Sequence, residues 1–215
     1  MTTRRKPVAA PRRRPSSRRP QGVFQFLVTL ANTEPLVWRR ILVPAAYSFW
    51  DLHVAIQDAM GWQDCHLHEF SVVDPRRGAL VRIGLPGEEF GGEKPCEPGW
   101  QVGIADYFGY GAPPAAYWYD FGDDWRHSVT FEAAGPAEPG TRYPLCLAGA
   151  RRCPPEDCGG PSGYLDFLEA IGDPRHEEHA AMLEWAGGDF DPDAFDPARI
   201  VFTNPAERLR SALDE

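Results

Sequence analysis

The stretch AAYWYDFGDDWRHSVTFEA, residues 115–133, decides the fold. Apolar and polar side chains alternate along its second half, as they do in a strand with one buried and one solvated face. Gly122-Asp123 is a two-residue pair of the type that closes a hairpin, because its backbone matches the twist of antiparallel strands. The sequence therefore predicts a β-hairpin formed by residues 115–121 and 124–133.

The turn position also predicts which side chains share a face of this hairpin, because two residues between the strands set the register. Counting outward from the turn pairs Phe121 with Asp124 and continues along both strands. The predicted inward face then holds Trp118, Asp120, Trp125 and His127. The other face holds Tyr119 and Arg126, which we expect to stack.

Asp120 and His127 are diagonal neighbours in that register, ~7 to 8 Å apart at the backbone, a span that their side chains can close. A carboxylate that orients an imidazole is half of a general-base arrangement. The two residues are therefore the candidate catalytic pair. The alternative is a buried histidine that a carboxylate satisfies for structural reasons.

The remaining chain places this hairpin in an α+β protein. Residues Val23–Leu30 and 36–43 read as a hairpin, followed by a helix that Ser48 caps and Gly61 ends. Residues 66–73 and 79–83 read as strands and 88–99 as a loop. Helical signals follow at 163–171, from Asp173-Pro174 to about 186, and after Asn204. The sequence thus predicts a roll of antiparallel strands packed with helices, with a helical C-terminal third, in one domain over residues 21–215.

Charge divides the chain sharply. The first 20 residues contain eight lysines and arginines and no acid, so they carry a charge of +8. Because the whole chain has a net charge of −9, the other 195 residues carry −17. Composition predicts a disordered basic arm. Non-specific nucleic-acid contact through residues 4–19 is one interpretation, because an acidic body repels phosphates. A solubilising terminus is the other.

Compartment and class follow from two further observations. No apolar run approaches the ~20 residues of a membrane helix, so no membrane contact is predicted. Five cysteines, an odd number, do not suit a secreted disulfide framework and indicate reduced thiols in a cytoplasm. The chain also lacks a glycine-rich phosphate loop, a Walker lysine and a nucleophile elbow. The oligomeric state is open.

Several motifs together carry a family resemblance. They are WRR at 38–40, GW at 61–62, HLHEF at 66–70, YDFGDDWRH at 119–127, CPPEDCGG at 153–160 and GY at 163–164. In this order they resemble the plasmid pRiA ORF-three-like family over about residues 21–209. The resemblance implies an α+β roll and a mobile-element context, in which some members carry a resolvase-like label. The arginine-rich segment here is the arm, so we predict no recombinase active site.

Cysteines supply the first candidate metal site. Cys146, Cys153 and Cys158 lie close in sequence, and His66, His68 or Cys65 is a candidate fourth ligand. Three thiolates and one imidazole would form a closed structural zinc site. The alternative is that these free cysteines are small buried apolar residues. His176 and His179 do not have the spacing of a zinc-protease helix and read as a solvated face.

Carboxylates beside glycines form the second candidate set, which consists of Asp123, Asp124, Glu156 and Asp157. In loops such groups either bind a divalent cation or accept hydrogen bonds from turn and helix amides. The sequence does not decide between these two interpretations.

Two functional hypotheses remain. The first is a binding or accessory module whose pocket is lined by His66, His68, Trp118, Asp123, Asp124, Trp125, Arg126, Glu156 and Asp157. The second is a small hydrolase-like enzyme, metal-dependent in one form, that uses Asp120 and His127. We favour the first, because no complete set of nucleophile, base and orienting group can be named. Convergence of the histidines and carboxylates on one concave surface would locate the site.

Overall fold

The computed structural model describes residues 21–86 and 96–214. Within these ranges, eight strands form one sheet in the order β5-β4-β3-β6-β7-β1-β2-β8. The strands are β1 Val23–Leu30, β2 Trp38–Pro44, β3 His68–Val73, β4 Leu80–Gly84, β5 Cys96–Pro98, β6 Ala115–Tyr119, β7 Trp125–Gly135 and β8 Leu145–Ala150. Every neighbouring pair is antiparallel except β4 and β5. The predicted α+β class and antiparallel strands are confirmed.

In the part of the chain that the structure describes, four α-helices accompany the sheet: α1 Phe49–Met60, α2 Gly160–Gly172, α3 His179–Trp185 and α4 Pro205–Asp214. Helix α1 begins and ends where the sequence predicts. Ser48 and Asp51 form a reciprocal capping box at its start, and Gly61 ends it in the left-handed conformation with φ of 93°.

The core lies between α1 and one face of the sheet. Paired residues on neighbouring strands share this face, as in Phe70 opposite Tyr117 and Tyr117 opposite His127. Phe49 and Ile56 of α1 are fully buried against it. The other face is polar, and Arg82 forms an ion pair with Glu69 there.

The C-terminal third is less helical than predicted. Helix α3 has seven residues and begins at His179, because the residues after Asp173 form turns in which Arg175 donates to the Asp173 side chain. After it, Gly187 and Gly188 have positive φ, and residues 186–204 form loops with one short 3-10 helix. Strand β8 was not predicted, nor was β5.

The basic arm of residues 1–20 and part of the predicted 88–99 loop lie outside the described residues. Within the described ranges, no helix is both long and apolar enough to span a bilayer.

Candidate functional site

The hairpin of β6 and β7 has a longer turn than the sequence predicts. Its strands pair Tyr119 with Trp125, so residues 120–124 form the turn, hereafter the β6–β7 turn. Asp120 and Asp124 adopt left-handed backbone conformations, with φ of 52° and 58°. The Asp120 carboxylate stabilises this turn by accepting from the backbone N–H groups of Gly122 and Asp123, at 2.9 and 3.2 Å. The predicted register is therefore wrong by one residue.

This shift separates the predicted catalytic pair. His127 now lies opposite Tyr117 in the core, where its Nδ1 is 3.3 Å from the Tyr117 carbonyl oxygen. Burial lowers the pKa of His127 to about 3. Asp120 belongs to the turn and contacts the turn amides and His66 instead. The predicted pairing of Asp120 with His127 is wrong.

The same shift exchanges the two faces around the tryptophans. Trp118 lies opposite Arg126 on the polar face, and the Arg126 guanidinium stacks on its ring at 3.4 Å from the centroid. Trp125 is fully buried on the core face together with Tyr119. The expected stack of Tyr119 with Arg126 is thus replaced by one between Trp118 and Arg126.

The aspartates of the turn have structural partners. Asp123 accepts a hydrogen bond from the Gly159 N–H at 3.1 Å, next to the start of α2. Asp124 forms an ion pair with Arg126 at 2.6 Å. Gly160 has φ of 70°, and a Cβ there would lie 2.3 Å from the Asp123 carbonyl oxygen, so α2 and the turn approach closely. The Asp123 contact therefore fits the interpretation that this carboxylate accepts hydrogen bonds from backbone amides.

His66 lies where the remaining carboxylates converge. Its Nε2 is 3.0 Å from Asp157 Oδ1 and 3.5 Å from Asp120 Oδ2. This nitrogen is buried and makes no hydrogen bond of acceptable geometry, although both oxygens are near. Asp157 is 70% exposed, while Asp120 is 9% exposed, so the cluster extends from the protein interior to the surface.

Glu156 adds a third carboxylate beside His66. It accepts hydrogen bonds from the Gln63 N–H at 2.7 Å and from the Tyr119 hydroxyl at 3.0 Å. Burial raises its pKa above the ordinary value. Cys65 Sγ, a His66 ring nitrogen and a Glu156 oxygen lie within 4.8 Å of one another.

The predicted cysteine site does not form. Among the described residues, the groups of three or more His, Cys, Asp and Glu side chains within metal-binding distance include none of Cys146, Cys153 and Cys158. Burial raises the pKa of the Cys153 and Cys158 thiols, which keeps them protonated. Cys146 Sγ contacts the Ala148 carbonyl oxygen of its own strand. These observations favour the alternative interpretation, in which the three cysteines are buried or half-buried free thiols.

His68 and a residue that the sequence did not indicate, His53, form a buried pair behind the cluster. Their rings stack at 3.4 Å with an angle of 8°. His53 is hydrogen-bonded to the Tyr117 hydroxyl at 2.8 Å and to Asp64 at 2.7 Å, whereas neither His68 nitrogen has a partner. Burial lowers the pKa of His68 well below its ordinary value. The signal for His53 was its position four residues after Phe49, on the apolar side of α1.

Two clefts meet at the cluster. The first, the α4 cleft, lies between α4 and the β6–β7 turn and has a volume of about 1280 Å³. Its lining includes Trp50, His66, Asp120, Phe121 and Arg208. The second is lined by Glu156 and Asp157, and Gln63 belongs to both. The structure therefore brings His66, Asp120, Glu156 and Asp157 together and leaves His68, Trp125 and His127 in the core.

Comparison with known proteins identifies relatives over most of the chain. Residues 22–199 match the model of the plasmid pRiA4b ORF-3-like protein family. The chain is 43% identical over 194 residues to the uncharacterized protein y4hQ of Sinorhizobium fredii, covering 90% of this chain and 92% of that one. It also resembles the crystal structure of MM3350, a protein of unknown function from Methanosarcina mazei, with a TM-score of 0.79 and 42% identity. That match covers 85% of this chain and 99% of the other. The chain belongs to the plasmid pRiA4b ORF-3-like protein family.

Proposed function

We propose that this protein is a binding or accessory module and that the α4 cleft is its ligand site. The observation that carries the proposal is the convergence of His66, Asp120, Glu156 and Asp157 where two clefts meet. Ligand sites are typically concave and combine apolar walls with a few converging polar groups.

The walls of the α4 cleft have this composition. Trp50, Leu67, Leu85 and Phe121 supply apolar surface, and His66 and Asp120 supply polar atoms. A ligand with an aromatic or aliphatic part and a polar head would contact both kinds of group.

Helix α4, the opposite wall, is held in place by charged contacts with α1 and the loop after it. Arg208 binds Asp58 at 2.8 Å and Asp64 at 3.2 Å, and the Trp50 indole donates to the Pro205 carbonyl oxygen at 2.8 Å. Because this wall is fixed before the ligand arrives, less conformational entropy is lost on binding.

The hydrolase alternative depended on Asp120 and His127 acting as one pair. Since the two side chains have separate partners, they do not provide the general base that the alternative required. We therefore propose the binding role. In this proposal the basic residues 4–19 add non-specific nucleic-acid contact, in line with the mobile-element context that the family resemblance implies.

Amide NMR spectra recorded with a mixed library of small aromatic and charged fragments test the ligand site. We expect fragment-induced shifts to cluster on Leu67, Gly122 and Ala212, which line the α4 cleft. Phe121→Ala should weaken the binding of aromatic fragments by about 1 kcal/mol, because one ring contact is lost.

Tyr110→Ala is the matched control, since Tyr110 is 79% exposed and does not line this cleft. It should leave the fragment affinities unchanged. Shifts scattered over the surface, or centred on another groove, would contradict the proposal.

A further inference from the structure

We propose that His66, Asp120 and Asp157 bind a divalent first-row transition-metal cation. The inference rests on the proposed function, because His66 and Asp120 also line the α4 cleft. It differs from the cysteine site predicted from the sequence, which the structure does not bring together.

The spacing of the ligand atoms carries the proposal. Metal–ligand distances of about 2.1 Å place neighbouring ligand atoms about 3.0 Å apart in an octahedron and about 3.4 Å apart in a tetrahedron. The His66 Nε2 atom is 3.0 Å from Asp157 Oδ1 and 3.5 Å from Asp120 Oδ2. Both separations fit atoms that share one ion.

The absence of hydrogen bonds in these contacts also fits ligand atoms that share one ion. In an octahedral site a neighbouring ligand lies about 45° from the line between nitrogen and metal, too far from that line for a well-formed hydrogen bond. Nε2 of His66 is buried and makes no hydrogen bond with either oxygen, despite their proximity. The nitrogen is therefore an unused donor atom between two carboxylates.

Asp120 is held so that one oxygen remains for the ion. Its Oδ1 accepts from the Gly122 and Asp123 N–H groups, whereas its Oδ2 is the atom near His66. Hydrogen bonds of this kind orient a ligating carboxylate before the metal arrives. Glu156 is fixed by the Gln63 N–H and the Tyr119 hydroxyl, and one of its oxygens lies within 4.8 Å of a His66 ring nitrogen.

The donor set indicates the class of cation. Carboxylates accept most divalent ions, but an imidazole nitrogen favours first-row transition metals over Mg²⁺ and Ca²⁺, which prefer oxygen ligands. Asp157 is 70% exposed, so the ion would enter from solvent and keep open positions for water.

The other histidine group, His53, Asp64 and His68, has unsuitable geometry although its atoms are also close. Its two imidazole rings are stacked face to face at 3.4 Å. The lone pairs of parallel rings lie in separate planes, so one ion cannot lie in both. We therefore place the ion at His66.

Titration of the full-length protein with Co²⁺, followed by visible absorption and calorimetry under a non-chelating reductant, tests the site. We expect one Co²⁺ per chain, displaced by Zn²⁺ and not by Mg²⁺. His66→Ala and Asp157→Asn should each weaken Co²⁺ binding by at least about tenfold, because the first removes the imidazole ligand and the second replaces an anionic carboxylate with a neutral amide. Asp157→Asn is the safer variant, since that side chain is mostly exposed.

His176→Ala is the matched control, because His176 also lies beside acidic residues but does not belong to the metal-binding groups found among the described residues. Its Co²⁺ affinity should equal that of the wild type, and thermal unfolding without metal should confirm that all variants fold. Absence of Co²⁺ binding, or unchanged affinity in folded His66→Ala and Asp157→Asn, would overturn the metal site. Fragments that still cluster in the α4 cleft would then leave the binding role standing without the cation.

Discussion

At the scale of single residues, the fold controls the charge of the buried histidines. Burial holds His127 neutral, with a pKa of about 3. The unfolded chain binds a proton below a pKa of about 6.5, so between about pH 6.5 and 3 the unfolded state holds more protons than the folded state. The stability that this histidine contributes is therefore complete above pH 6.5 and falls as the pH drops through that window.

His127→Leu should remove this dependence. Between pH 7 and pH 5.5 we expect the wild type to lose about 1 kcal/mol more unfolding free energy than the variant, because the leucine takes up no proton. Urea unfolding at both pH values measures the difference. His176→Ala, a change at a partly exposed histidine, should retain the wild-type pH dependence. Equal pH dependence in His127→Leu and wild type would show that His127 is not held neutral.

The residue scale also shows why the site could be predicted only in part. The sequence indicated His66, Asp120, Glu156 and Asp157 as separate candidates, but their meeting depends on long-range contacts such as Gln63 N–H to Glu156. Asp120 was assigned to the wrong partner because its left-handed backbone moves it out of the strand and into the turn. A non-glycine residue in this conformation is uncommon, and alternation of polarity does not reveal it.

At the scale of elements, local sequence signals were sufficient to predict an element where they mark its ends. Ser48 and Gly61 predicted both ends of α1, because a capping side chain and a left-handed glycine act within one turn. Strand β8, LCLAGA, has no clear alternation of polarity and lies at the sheet edge, so only its pairing with β2 makes it a strand. Seven-residue α3 shows the opposite case, since Asp173-Pro174 indicated a start but turns occupy the next residues.

Arg39 joins three of these elements. This residue is 2% exposed, and its guanidinium donates to the carbonyl oxygens of Ala59 at the end of α1, Ala150 at the end of β8 and Arg151. Its distances to these oxygens are 2.8, 2.9 and 2.8 Å. Charged donors to buried carbonyls stabilise more than neutral ones, and their loss leaves the acceptors without partners.

Arg39→Leu should therefore lower the unfolding free energy by about 3 kcal/mol or more. Arg39→Lys should recover part of the loss, since one ammonium cannot reproduce the planar fork of donors. Arg175→Ala is the control, because that side chain is 90% exposed and its pair with Asp173 is worth little. Denaturant unfolding gives all three values. A leucine variant as stable as the wild type would mean that these hydrogen bonds contribute nothing net.

At the scale of the whole molecule, charge separates the chain into two parts. Eight positive charges in the first 20 residues precede a body with a net charge of −17. Nucleic acid binds basic segments by releasing counterions from its phosphates, and an acidic surface opposes that binding. Whatever affinity the protein has for DNA should thus come from the arm.

A truncated chain that begins at Gln21 tests this division against the full-length protein. Full-length binding to mixed-sequence duplex DNA should weaken with salt, with a log–log slope no steeper than about −7, because eight cations neutralise at most eight phosphates. The truncated chain should show no binding, and its melting temperature should equal that of the full chain, since the arm offers few apolar residues to pack. Salt-insensitive and sequence-specific binding by the truncated chain would place the nucleic-acid site in the folded body, and a lower melting temperature would show that the arm packs on it.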